Sequence, residues 1–145
     1  MPQGRTARAL SPADADQALV LYNELTVGPP AEDAAGFLRV LGHDGTTVFG
    51  AFDGATLAAM ATLHLLPNAV WQSRPYGLVE NVVTRASHRR RGFGRLAMQS
   101  LLDAAQKAGA HKVMLLTGEA REAAGFYAAL GFSDREKRAM VIRYP

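Results

Sequence analysis

Between Tyr76 and Ala108 the chain changes periodicity twice, with no linker between the parts. YGLVENVVT (Tyr76–Thr84) is apolar on both faces, which predicts a strand covered on two sides and so central in its sheet. From Gly94 onward, Ala97, Met98, Leu101, Leu102, Ala105 and Ala108 share one helical face, and Gly109 stands where a C-cap glycine belongs. Between strand and helix lies a short turn crowded by Arg85, His88, Arg89, Arg90 and Arg91, with Arg95 just inside the helix. A helix start leaves its first N–H groups without partners at the positive end of the macrodipole, which favours an anion. Gly92 and Gly94 carry no side chain to keep a ligand from those amides. Arginines add charge-assisted, bidentate hydrogen bonds to phosphate. Together these features describe a cradle for a pyrophosphate; the plain alternative is a solvated loop whose glycines serve a tight turn.

The rest of the chain predicts the frame around this segment. Arg5 to Leu10 reads as a short strand. Ser11 and Pro12 form an N-cap and first-turn pair ahead of Ala18, Leu21, Tyr22 and Leu25 at helical spacing. VGPP (Val27–Pro30) ends that helix, and Ala34, Phe37, Leu38 and Leu41 mark a second. TTVFGAF and ATLAAMATLHLL, joined at Asp53-Gly54, predict a β-hairpin. After the loop PNAVWQSRPYG and the strand–turn–helix come a strand in HKVMLLT and a helix in EAREAAGFYAAL. That helix stops at Gly131 with Phe132 beyond it, and RAMVIRY closes the chain as a strand. The expected fold is α/β of the α+β kind: one domain over residues 1–145, with a mixed, mostly antiparallel central sheet flanked by helices on both faces.

Composition narrows the chemistry. With no cysteine among 145 residues, disulfides, thiolate zinc sites and a cysteine nucleophile are excluded. His43, His64, His88 and His111 show no metal-ligand spacing, so no metal is expected. A net charge of +3 with the basic residues gathered in one segment argues for a phosphorylated ligand rather than a nucleic-acid-coating surface. The start lacks an apolar h-region and no later run is long enough to span a bilayer, so the expected location is the cytoplasm, away from membranes.

GFGRLA (Gly92–Ala97) also fits G-x-G-x-x-A, the dinucleotide-binding fingerprint, with Glu119 about 20 residues on. That motif falls too late for a doubly wound sheet to follow, and the strands before it form a hairpin meander rather than βαβ units. No Lys-Ser/Thr pair completes a Walker A loop. RRRGFG (Arg89–Gly94) fits R/Q-x-x-G-x-G/A as well. With VENVVT before it and AAGFYAALGF (Ala123–Phe132) after it, the chain resembles the GNAT superfamily of N-acetyltransferases. Element order is similar throughout, and motif detail runs from about Tyr76 to Phe132.

The resemblance implies acetyl-CoA as co-substrate. Backbone amides from Arg90 to Arg95 would hold its pyrophosphate, with Arg89, Arg90, Arg91, Gly92, Phe93, Gly94 and Arg95 forming the loop. Val82 and Val83, with Thr84 at the strand end, would follow the pantetheine arm as an added strand does, and Tyr127 would stand beside the sulfur. Ala120 lies about where many members carry a pantetheine-binding Asn, a departure from the pattern. LVENVVT, HKVMLLT and FYAALGF are also similar to the glucosamine-phosphate N-acetyltransferases, which implies a small-molecule amine acceptor, with an amino-sugar phosphate as one candidate. A homodimer through the last strand fits the same resemblance.

The reaction sets its own demands. A lysine-like amine with a pKa of about 10.4 must lose a proton before it attacks a thioester. Glu80 is the candidate base, directly or through a water. An unperturbed carboxyl at about 4.3 is a poor base, so burial beside Leu78 and Val82 is expected to raise it. The plain alternative pairs Glu80 with Arg85 or another nearby cation. Tyr127 is the candidate acid for the departing thiolate, against a core-packing role, with Phe126 the better core residue. His64, Trp71 and Arg74 are weaker candidates for the acceptor pocket. The competing reading keeps the fold and makes it a non-catalytic CoA-binding sensor or interaction module.

Overall fold

Five strands form one sheet in sequential order: β1 (Arg5–Ala9), β2 (Thr46–Asp53), β3 (Thr56–Leu66), β4 (Tyr76–Thr84) and β5 (Val113–Leu115). The first four run antiparallel to their neighbours, and β5 lies parallel to β4. This computed structural model describes residues 4–25, 28–118 and 123–145. It divides into two units, Met1–Leu115 and Leu116–Pro145, each described by itself.

In the first unit, α1 (Ala15–Leu25) and α2 (Ala35–Gly42) cover one face of the sheet, and α3 (Phe93–Lys107) covers the other. Ala18, Leu21 and Phe37 meet Val48, Phe52, Leu57, Met60 and Val83 on the first face. Phe93 and Ala97 meet Ala51, Ala58 and Ala59 on the second. The small residues at 51, 58 and 59 let α3 lie close against the strands. Burying Phe93 contributes roughly 1.5–3 kcal/mol by the hydrophobic effect.

Ser11 and Pro12 open this frame as expected, in a short 3-10 turn (Pro12–Asp14) that runs into α1. Ser11 N–H donates to the Asp14 carboxylate at 2.8 Å, and Arg8 grips both Asp14 oxygens at 2.8 and 2.9 Å. The Arg8 hydrogen bond holds the Asp14 carboxyl below its ordinary pKa against the opposing effect of burial, with Ser11 helping. The hairpin turn sits one residue later than expected. Asp53 pairs with Thr56, and Gly54 and Ala55 form the loop. Gly54, at φ 58°, takes the first loop position, which in a II′-like turn needs a positive φ. Asp53 therefore stays in the strand, opposite Arg5 of β1.

Helix α3 ends as its sequence predicts. Gly109, at φ 81°, donates to Gln106 O, and Ala110 donates to Ala105 O. In the second unit, α4 (Ala123–Ala129) ends by the same rule: Gly131, at φ 101°, donates to Ala128 O, and Phe132 donates to Tyr127 O. Residues 119–122 of the expected helix, Glu119 and Ala120 among them, lie outside the described residues.

Two strand expectations need correction. HKVMLLT yields only the three residues of β5. RAMVIRY forms no strand: residues 138–144 carry no regular structure, and Met140, Ile142 and Tyr144 are exposed. Alternating apolar residues suit a pleated surface, but a strand exists only where an edge accepts its N–H and C=O groups.

Candidate active site and cofactor loop

The site begins with a fault in β4. Met60 pairs with Val83 and Thr62 with Glu80, so the single residue Ala61 faces both Asn81 and Val82. Asn81 adopts φ 52°, a left-handed conformation that asparagine tolerates better than most residues. This bulge inverts the strand's alternation. Before it, odd-numbered residues turn their backbone to β5, as Gly77 N–H does in donating to Lys112 O at 2.9 Å. After it, Arg85 N–H donates to Ala58 O at 2.7 Å, so Arg85 and Val83 face β3. Val82 and Thr84 consequently turn their backbone groups to the other side.

On that other side the pairing stops. β5 meets β4 at Gly77, Leu78 and Val79 only, and among the described residues no strand pairs with Glu80–Thr84 there. An open strand edge accepts an extended ligand by adding to the ladder. Val83, 6% exposed, anchors the strand from beneath with its side chain in the core.

The basic turn follows. Residues 86–88 make a 3-10 turn, Arg90 takes φ 61°, and Gly92, at φ 87°, is the N-cap of α3. The helix starts at Phe93, one residue before the expected Gly94. Leu96 N–H is the first amide of the helix to find a backbone acceptor, Gly92 O at 3.1 Å. Among the described residues no protein acceptor meets the amides of Arg89 to Arg95. These donors therefore stand together at the positive end of a fifteen-residue helix.

The arginines divide by task. Arg85 is structural: its Nε donates to Leu57 O at 2.9 Å and it reaches Gln17 Oε1 at 3.4 Å. It does not pair with Glu80. Arg91 lies 3.5 Å from Asp53 Oδ2, and Arg89 Nε donates to Thr84 O at 3.5 Å. Arg90 and Arg95 are exposed beside the amides. Other supports come from far along the chain. Glu24 accepts Ala86 N–H at 2.8 Å, and Arg5 donates to Arg91 O at 2.6 Å. Sequence reasoning missed Arg5, Gln17, Glu24 and Asp53 because no spacing relates them to the loop; only the sheet register does.

Glu80 sits on the open half of β4, cross-strand from buried Thr62. The bulge is what puts Glu80 and Val83, three residues apart, on the same face. Glu80 is exposed, so the burial expected beside Leu78 and Val82 is absent. Tyr22 of α1 brings its hydroxyl beside Thr62 without a hydrogen bond. Burial pushes the Tyr22 pKa up. Tyr127 belongs to the second unit, half-buried on α4 with its ring 5.1 Å from Phe126 and 6.0 Å from Phe132.

The weaker acceptor candidates are accounted for differently. Arg74 donates to Gly109 O and Ala110 O at 2.9 and 3.0 Å, which commits it to the C-terminal end of α3. Trp71, 67% exposed, stacks on His111 at 5.3 Å. Partial burial, then the charges of Lys112 and Arg74, lower the His111 pKa. His64 and His43 share the Thr46 hydroxyl at 2.7 and 2.9 Å. Among the described residues no cluster of His, Asp or Glu has the makings of a metal site, and no helix is long and apolar enough to cross a membrane.

Comparison with known proteins bears on the family and the fold. Residues 15–132 match the model of the acetyltransferase (GNAT) family. A glucosamine 6-phosphate N-acetyltransferase of Trypanosoma brucei brucei is 28% identical over 135 residues, 90% of each chain. A solved structure from Agrobacterium tumefaciens, assigned to the acetyltransferases, is 37% identical with a TM-score of 0.89, covering 96% of this chain and 99% of that one. The fold is also that of glucosamine-6-phosphate N-acetyltransferase from Arabidopsis thaliana, at 21% identity and a TM-score of 0.82, covering 98% and 99%.

Proposed function

The chain belongs to the GNAT family of acetyltransferases, and from that premise we propose that it moves the acetyl group of acetyl-CoA to the primary amine of a small molecule. The observation that carries this reading is the row of unpartnered amides from Arg89 to Arg95 beside the open edge of β4. A diphosphate matches the first and an extended pantetheine arm matches the second. The family match crosses the boundary between the two units, which supports treating residues 1–145 as one transferase domain.

In this reading Val82 and Thr84 hydrogen-bond the pantetheine arm with the backbone groups that the bulge turns outward. Arg90 and Arg95 add charge to the amides around Gly92 and Gly94. Glu80 takes the proton of the acceptor ammonium, directly or through a water, so that the free amine attacks the thioester carbonyl. The Val82 N–H stabilises negative charge building on the carbonyl oxygen. As the carbon–sulfur bond breaks, Tyr127 gives its proton to the thiolate. Because Glu80 is exposed, the exclusion of water that strengthens it as a base comes from the ligands that cover it.

The acceptor is an amine, and the Trypanosoma relative supports an amino-sugar phosphate. The test is thiol release from acetyl-CoA with a panel of amines that includes glucosamine 6-phosphate. Turnover with an amine and not with its N-blocked analogue is expected. CoA binding without turnover on any amine would favour the sensor reading, and no CoA binding by calorimetry would end both.

A further inference from the structure

The amide row of the basic turn is aimed by residues from elsewhere in the sheet. We propose that Arg5 and Asp53 are positioning residues for the cofactor diphosphate, an inference that rests on the diphosphate reading above. The two are cross-strand partners on β1 and β2, so their side chains share the face covered by α3. Each holds a different part of the turn.

Arg5 acts on the backbone. Its Nη1 donates to Arg91 O at 2.6 Å, while its guanidinium lies 4.3 Å from the centre of the buried Phe93 ring. A trans peptide points its C=O and N–H in opposite directions. Drawing the Arg91 carbonyl toward Arg5 therefore turns the Gly92 N–H of the same peptide away from the protein, toward an incoming anion. The closeness of Arg5 also explains the glycine. A Cβ at residue 92 would stand 3.3 Å from Arg5 Nη1, on a backbone already at φ 87°.

Asp53 acts on the side chains. Its Oδ2 accepts from His88 Nε2 at 3.1 Å and faces Arg91 Nη2 at 3.5 Å. His88 is fixed further by Ser87 Oγ at 2.8 Å and by an edge contact with Phe93 at 5.5 Å. Among the described residues Asp53 is the carboxylate that pairs with the basic side chains of the turn. It offsets repulsion within a segment that otherwise holds only positive charge. Arg91, though exposed, is thereby drawn toward Asp53, which leaves Arg90 and Arg95 to face the ligand.

The test compares CoA with pantetheine, which keeps the thiol arm and lacks the diphosphate. Full-length wild type, Arg5→Ala, Arg5→Lys and Asp53→Asn are titrated with CoA by calorimetry and with pantetheine by amide NMR. Arg5→Ala and Asp53→Asn are each expected to weaken CoA about tenfold, equivalent to about 1.4 kcal/mol. Arg5→Lys, which keeps a donor but loses the planar stack on Phe93, is expected to weaken it about threefold. Pantetheine affinity stays at the wild-type value in all three. Equal losses for both ligands would mean a general structural role and overturn the proposal, as would unchanged CoA affinity in Asp53→Asn and Arg5→Lys. Wild type that binds CoA no better than pantetheine would instead remove the diphosphate reading itself.

Discussion

The two halves of β4 are built from the same kind of sequence and have opposite roles. Gly77–Val79 is paired on both sides, to β3 and to β5, and its register is regular. Among the described residues Glu80–Thr84 is paired on β3 alone; it starts with a bulge and leads into the basic turn. Backbone groups saturated by neighbours stabilise a sheet, whereas groups left over are available to a ligand. The lesson is that an inner strand offers free backbone groups at the point where its partner ends.

If the halves differ in this way, substitutions should separate chemistry from stability. The largest effect is expected at Glu80. Glu80→Gln keeps size and polarity but cannot take a proton, and should lower kcat by about two to four orders of magnitude. An exposed position should leave the melting temperature and the CoA dissociation constant close to wild type. An undiminished kcat at saturating acetyl-CoA would remove Glu80 from the mechanism.

The converse substitution lies three positions earlier in the paired half. A Cβ on Gly77 would come within 2.9 Å of Leu63 Cδ1 and 3.3 Å of Val113 Cγ2. Gly77→Ala should cost about 1–3 kcal/mol of stability in denaturant titrations. The turnover rate per folded molecule should not change, and a large fall in that rate would break the distinction between the halves.

At the end of the open half, Gly92→Ala places a side chain on a left-handed backbone at a cost of about 1–2 kcal/mol. The turn can escape the strain by shifting its amides, so CoA affinity should fall by about tenfold. Calorimetry showing wild-type affinity would mean that the turn does not bind through those amides.

The smallest effect concerns the covered face behind Glu80. The folded-state pKa of Tyr22 is raised by burial, so its contribution to stability is intact below the ordinary tyrosine value of about 10 and is lost above it. Tyr22→Phe removes a buried hydroxyl with no hydrogen-bond partner among the described residues and should change stability at neutral pH by no more than about 1 kcal/mol. The alkaline loss should disappear with it. A melting-temperature profile from neutral to strongly alkaline pH that is the same for both proteins would contradict this.

The strand, the basic turn, the amphipathic α3 and its glycine caps were legible because each depends on neighbours within a few positions. Gly92, Gly109 and Gly131 occupy left-handed positions that a helix boundary demands locally. Glu80 and the loop residues stand out in the sequence as types in a pattern, without their surroundings, and the roles given to them are proposals. RAMVIRY misled because apolar alternation states a preference for pleated structure without supplying an edge to join.

The sequence by itself determined the succession of strand, basic turn and amphipathic helix and the glycines that end α3 and α4, since these follow from periodicity and local backbone preference. Only the tertiary structure decided that β4 bulges at Asn81, that Glu80 stays exposed, and that Arg5 and Asp53 reach across to the turn. Those outcomes depend on strand register, which brings residues from distant parts of the chain within hydrogen-bonding distance.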